Sequence, residues 1–457
     1  MLVQQLIAVS PAQAAPGRER AVGTAVEAIA KGAAAGDARL QQALDLLRAG
    51  NTQDASRMLQ IFADDKTAQI VQDKEHLKAD SLDAAAAYRN LGAIAGLADP
   101  KSARDAYGRA VALDPDDRDA LYWHGWLQLL AGDIGLADRD LNRLLQVSAA
   151  AHDDRGTYRA HLRLGEVFMD RGNLQGAREY EDRAYDLAKR NAERSPDDQE
   201  WQRDLSVSYE KIGDVQVAQG NLPEALKSYQ ADLAISDRLA KFDPGNAQCQ
   251  RDLSVAYERI GNMQVAQGNL PEALKSYRNG LEIRDRLAKS DPGNTQWQRD
   301  LSVSYELTGN VLVAQGNLSE ALKLCRDGLE IQDRLAKADP GNAGWQRDLA
   351  VSYTRFGDVQ MAQGNLPEAL KLYRDGLEIH DRLAKAAPGN AQWQRDLSVS
   401  YAKLAFAFRK AGDNTKALEA LRNGQAIMVR MTSLSPDNAV WKRDVAWFDW
   451  QIAELAR

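Results

Sequence analysis

Two cysteines and five histidines in 457 residues leave this chain little material for metal or thiol chemistry. Cys249 and Cys325 fall at unrelated places, so no disulfide framework or metal spacing follows, and a reducing, cytoplasmic setting is the expectation. The histidines (His76, His124, His152, His161, His380) are scattered without the short intervals that ligands on one helix need. Positive charge is not in excess: 58 Lys and Arg face 65 Asp and Glu, a net charge of −7. Nucleic acid and anionic membrane surfaces, which need concentrated Lys and Arg, are therefore not expected partners. No apolar run nears the roughly 20 residues that span a bilayer. Phosphate-cradling glycine loops and nucleophile elbows are missing too, because the glycine turns present join helix to helix. Neither an enzyme, a cofactor nor a metal is expected.

What the chain has is repetition. Trp201-Gln-Arg-Asp-Leu returns as the same five residues from Trp297, Trp345 and Trp393, and Cys249 and Trp441 hold the slot in two looser copies. The spacing is 48 residues, and 36 of 48 positions are identical between 201–248 and 249–296. A fixed period of this length marks a solenoid, in which each unit buries its apolar face against its neighbours. Within one copy Trp201, Leu205, Tyr209, Ile212 and Val215 follow the spacing of a single helical stripe. Gly220 supplies a left-handed helix end, Asn221-Leu222-Pro223 restarts the chain, and Ala225, Leu226, Tyr229, Leu233, Ile235 and Leu239 stripe a second helix. Asp243-Pro244-Gly245-Asn246 stops it, with Asn246 placed to cap the next helix. Each copy is a helical hairpin, and no strand is expected.

On Tyr209, Ile212-Gly213, Gly220, Ala225 and Tyr229 the unit resembles the tetratricopeptide repeat family. The small residue of the second helix can be followed through Ala55, Ala103, Ala137, Ala177, Ala225, Ala273, Ala321, Ala369 and Ala417. The interval from Ala103 to Ala137 is 34 residues, the family's usual period, and the later intervals of 48 imply longer helices, as in arrays of bacterial multidomain signalling proteins. Asp232, Gly280, Gly328 and Gly376 depart from the family's small residue in mid-helix and suggest a looser contact there. The resemblance implies an all-α fold, a right-handed αα-superhelix (solenoid) of about nine helical hairpins with a C-terminal capping helix. The expected organisation is a flexible or loosely helical segment over 1–38, a degenerate first hairpin and linker over 39–80, and three hairpins over 81–200. Five 48-residue repeats over 201–437 and the capping helix over 438–457 follow. Met1 to Ala15 has a short apolar stretch and an Ala12-Gln13-Ala14 resembling a signal-peptidase site. Gln4, Gln5 and the lack of a preceding cation point instead to a disordered start or the arbitrary start of a longer frame.

The resemblance further implies that the arc of each first helix opposite its core stripe lines a concave groove for a peptide or protein partner. That arc reads Arg203, Val207, Glu210, Asp214 and Val217, then Arg251, Val255, Glu258, Asn262 and Val265. The next copies give Arg299, Val303, Glu306, Asn310 and Val313, then Arg347, Val351, Thr354, Asp358 and Met361. Asn and Asp rows could bond an extended backbone while Val and Met rows accept side chains; the competing reading is a solvated, self-neutralising face. The glutamates stand where relatives that grip a C-terminal carboxylate need lysine, which argues against that mode. The repeated Arg203-Asp204 suggests a structural ion-pair ladder between adjacent units, and Trp201 and its copies an inter-repeat core. Symmetry breaks at the end, where Phe406 takes the acid position and Trp447 and Trp450 fall off the core stripe of the last helix. These aromatics suggest a binding patch, for a partner or for self-association through the C-terminal end. The expected function is a non-catalytic scaffold. The alternative is the recognition arm of a bacterial signalling system whose effector lies on another chain or upstream.

Overall fold

The computed structural model describes residues 3, 18–72, 77–96, 99–434 and 439–456. Most of the signal-like stretch Met1–Ala15 lies outside them, as do 73–76 of the expected linker and Asn438 at the expected start of the last helix. The described residues form helices and turns, with no strand. The helices are α1 (Arg18–Ala34), α2 (Ala38–Arg48), α3 (Thr52–Gln72), α4 (Leu77–Ala95), α5 (Pro100–Leu113), α6 (Arg118–Leu130), α7 (Ile134–Ala150), α8 (Asp154–Asp170), α9 (Leu174–Arg194), α10 (Gln199–Ala218) and α11 (Leu222–Phe242). They continue with α12 (Ala247–Ala266), α13 (Leu270–Ser290), α14 (Thr295–Ala314), α15 (Leu318–Ala338), α16 (Ala343–Ala362), α17 (Leu366–Ala386), α18 (Ala391–Lys410), α19 (Asn414–Leu434) and α20 (Ala439–Leu455). None of the described helices is long and apolar enough to cross a membrane.

Local sequence explains the hairpins. Gly220, Gly268, Gly316, Gly364 and Gly412 all adopt φ between 76° and 81°, the left-handed turn conformation that side chains disfavour. Side-chain oxygens of Asp198, Asn246, Asn294, Asn342 and Asn390 accept backbone N–H bonds from the first turn of the helix that follows. Inside a hairpin Ala225 and Ala369 are fully buried, and Gly213 and Gly357 face Tyr229 and Tyr373. A Cβ at either glycine would lie 2.5–2.6 Å from the ring, so the small residue is what lets the two helices close.

The chain divides into two compact units, one of residues 1–263 with 286–297, the other of residues 264–285 with 298–457. In the first, helices pack on their chain neighbours, and α1 packs on both α2 and α4. Val22, Ala25 and Ile29 are buried there, on the helix within the segment expected to be flexible or loosely helical. Trp201 carries the core between hairpins: it meets Tyr158 edge-on at 6.0 Å among Leu187, Ala188 and Ala192 of the preceding hairpin. In the second unit Phe356, Val359 and Leu372 join Leu312, Ala321 and Cys325, and Phe448 of α20 seals Leu404, Ala405, Leu421 and Met428. Gly376 does not loosen its contact as expected. A Cβ there would lie 2.9 Å from the Ala350 carbonyl, a close backbone approach.

Candidate interaction surface

First helices of successive hairpins touch one another, α8 with α10 and α16 with α18, and their shared face carries most of the polar rows seen in the sequence. The Arg-Asp pair does form a ladder, with the acid contributed by the next copy. Arg203 holds Asp252 through Nε and through Nη2 at 3.2 Å. In the second unit Arg299 holds Asp348, Arg347 holds Asp396, and Arg395 holds Asp444 at 2.9 Å. Burial disfavours the Arg203 charge, yet Asp252 raises its pKa above the usual guanidinium range.

A second row of pairs runs beside the first. Lys211 meets Glu166 at 2.7 Å, Arg259 meets Glu210 at 2.8 Å and Asp214 at 3.4 Å, and Lys403 meets Asp358 at 2.7 Å. Tyr229 and Tyr373 each donate a 2.7 Å bond to the acid below them, Asp214 and Asp358. Burial works against the half-buried Glu166 carboxylate, but Arg163 and Lys211 hold its pKa down at about 2. Most of the expected groove residues are thus committed to neighbouring helices: Arg203, Glu210, Asp214 and Asp358 are paired, and Glu258 and Asn262 are half-buried and engaged. Asn310 is half-buried on the same face. Over these residues the face neutralises itself.

Glu306 behaves differently from Glu210. Its carboxylate accepts a bond from Ser352, while Arg355, 49 residues on, makes no ion pair among the described residues. Asn310 stands where Asp214 helps to hold Arg259, so no second acid draws Arg355 inward. Burial dominates and pushes the Glu306 carboxyl up to about 7, against the opposing effects of Ser352 and Arg355.

The end of the second unit is open. Elements α16 to α20 enclose a cavity of about 620 Å³ whose walls include Met361, Val399, Ala402, Phe406, Trp447 and Leu455. Phe406 is 49% exposed and Trp447 43% exposed, with Trp447 set edge-on to the buried Phe448 at 5.0 Å. Phe406 and Trp447 therefore line the same cavity. Trp450 is 58% exposed and is not part of the wall. Asp358, its charge balanced by Lys403, also lines the cavity, as do the exposed Arg409 and Lys410. Sequence reasoning missed Lys410 and the cation column Lys211, Arg259 and Lys403. The recurring 45-residue offset from Glu166, Asp214 and Asp358 would have revealed the column.

Comparison with known families places these hairpins. A tetratricopeptide repeat family model matches residues 95–146 and 143–196. The chain carries tetratricopeptide repeats. No curated protein matches it. Among solved structures, a signal transduction ATPase with numerous domains and a tetratricopeptide repeat sensor, from Pyrococcus horikoshii, is 14% identical. The match covers 88% of this chain and 57% of that one at a TM-score of 0.51, a likeness of fold. BtubC from P. vanneervenii matches 57% of this chain and 92% of its own at 17% identity and a TM-score of 0.45. A Rap protein complexed with Competence and Sporulation Factor matches 84% of this chain and 99% of its own at 14% identity and a TM-score of 0.45. As a tetratricopeptide repeat protein, the chain is a helical scaffold of the protein-interaction type. Among its described residues no group of three or more His, Cys, Asp or Glu is arranged to hold a metal ion.

Proposed function

We propose that this tetratricopeptide repeat protein binds a peptide segment of a protein partner, and that the segment seats a large apolar side chain in the cavity between α16 and α20. One observation carries the reading. Along most of the first-helix face, Glu306 and Arg355 apart, polar side chains satisfy one another, whereas in the last hairpin an exposed Phe406 and Trp447 wall a space of about 620 Å³. Exposed aromatics around a concave apolar site are the usual anchors of an interface.

The test uses the repeat against itself. Phe406→Asp installs the residue that Asp214 and Asp358 occupy in other copies, so folding is expected to be kept. A displayed random peptide library panned on the whole chain is expected to yield binders that lose about tenfold or more in affinity on Phe406→Asp. The same binders should be indifferent to Phe242→Ser, which alters an exposed side chain of the first unit. Binders equally tight on Phe406→Asp, or no binders at all, would contradict the proposal.

A further inference from the structure

We infer that the segment bound in this cavity is acidic, with carboxylates beside its apolar side chain that meet Arg409 and Lys410. The inference rests on the binding site just proposed and adds the chemistry of its occupant. It comes from the way the last hairpin departs from its copies. Where earlier copies have Glu210, Glu258 and Glu306, the last has Ala402; where they have Asp214, Asn262, Asn310 and Asp358, it has Phe406. Where they have Val217-Ala218, Val265-Ala266, Val313-Ala314 and Met361-Ala362, it has Arg409-Lys410. All four changed residues line the one cavity. Together they remove the acid and amide side chains, supply an aromatic wall and add two cations.

Those cations are not explained by the fold. Arg409 and Lys410 are exposed and form no ion pair among the described residues. A base in the last turn can stabilise a helix end, yet α10, α12, α14 and α16 end without one. The remaining charges of the cavity, Asp358 and Lys403, cancel at 2.7 Å. The site therefore carries an excess of two positive charges on a protein whose net charge is −7. Screening over roughly 8 Å at physiological salt keeps this local excess distinct from the acidic remainder. An acidic peptide complements both halves of the site, and a basic one is repelled by Arg409 and Lys410.

Fluorescence anisotropy with three short fluorescein-labelled peptides tests this on the whole chain: a tryptophan among glutamates, the same tryptophan among lysines, and serine among glutamates. The first is expected to bind, with each of the others weaker by about tenfold or more. Arg409→Val with Lys410→Ala, which installs residues the other copies carry, is expected to weaken the first peptide about tenfold and to blunt its salt dependence, with the circular dichroism unchanged. Equal binding of the lysine peptide, no loss in the double variant, or no binding of the first peptide overturns the inference. If panning returns binders that need Phe406 but carry no acid, the inference falls and the binding site stands. If nothing needs Phe406, both fall. A concentration-dependent dimer that Phe406→Asp dissolves would assign the cavity to a second copy of the chain and overturn both.

Discussion

Replacing Asp252 with alanine is expected to destabilise the packing of α10 on α12 by about 2 kcal/mol. Asp252 is the two-point partner of Arg203, and both side chains are only about a fifth exposed. Its removal leaves a guanidinium that the neighbouring hairpin has already taken out of water. It also strips Gln248 of the carboxylate it reaches at 2.7 Å. The cost lies in the stranded charge more than in the lost attraction. Changing both partners together, Arg203→Met with Asp252→Leu, should therefore recover most of it. Arg57→Ala breaks a 3.4 Å pair whose arginine is 72% exposed and should leave stability unchanged within error. Repeat arrays open in parts, so amide exchange of residues 199–218 and 247–263, alongside the urea midpoint, is the direct readout. Equal exchange in Asp252→Ala and in the unaltered chain would remove the ladder from the account.

Glu306→Gln is expected to act in the opposite direction, and only above mildly acid pH. The Glu306 carboxyl rises from 4.5 to about 7 on folding because burial disfavours its charge. Below pH 4.5 it is protonated in both states and costs nothing. Between pH 4.5 and 7 the unfolded chain releases this proton while the folded chain keeps it, so stability falls, and above pH 7 the deficit is constant. Glutamine keeps an oxygen for the Ser352 hydroxyl and cannot ionise. The variant should match the unaltered chain near pH 4 and exceed it by about 2 kcal/mol near pH 8, in melts at the two pH values. Glu210→Gln, two copies earlier at the same helical position, should instead destabilise near neutral pH. It takes from the half-buried Arg259 the carboxylate at 2.8 Å. A shift of the same sign and size in both variants would mean that their surroundings are not different in the way described.

The hairpins were legible because their signals are local. Glycine at a left-handed turn, Asn or Asp before the next helix, and a Gly213-to-Tyr229 fit each act within one copy. The ladder was legible as a repeated Arg-Asp dipeptide, but not its register: Arg203 reaches Asp252 rather than Asp204, a choice made by the spacing of neighbouring helices. An apolar stripe on the first helix does not reveal Ser206 and Ser208, which are buried. Ser206 reaches Asp232 and Ser236 of the second helix, and Ser208 bonds the Asp204 carbonyl at 2.9 Å. Small hydroxyls that bond locally can enter a core that charged chains cannot. Variation between copies proved an ambiguous guide to ligands. Ser236, Arg284, Gln332, His380 and Met428 occupy one position in five copies, and every one of them is buried. Arg284 and His380 reach Ser304 and Ser400 at 2.9 and 2.7 Å. Only with burial known does the change at Phe406, Arg409 and Lys410, on an exposed wall, stand apart from repacking inside.

Hydrogen exchange of the whole chain, with and without a peptide selected on it, tests most directly whether recognition is concentrated where the repeat breaks. Protection confined to residues 399–410 and 447–455, with 203–217 and 251–263 unchanged, is the expected result. Protection spread along those earlier first helices, with none around Phe406 and Trp447, would show that the ion-paired face is the binding surface and contradict the account.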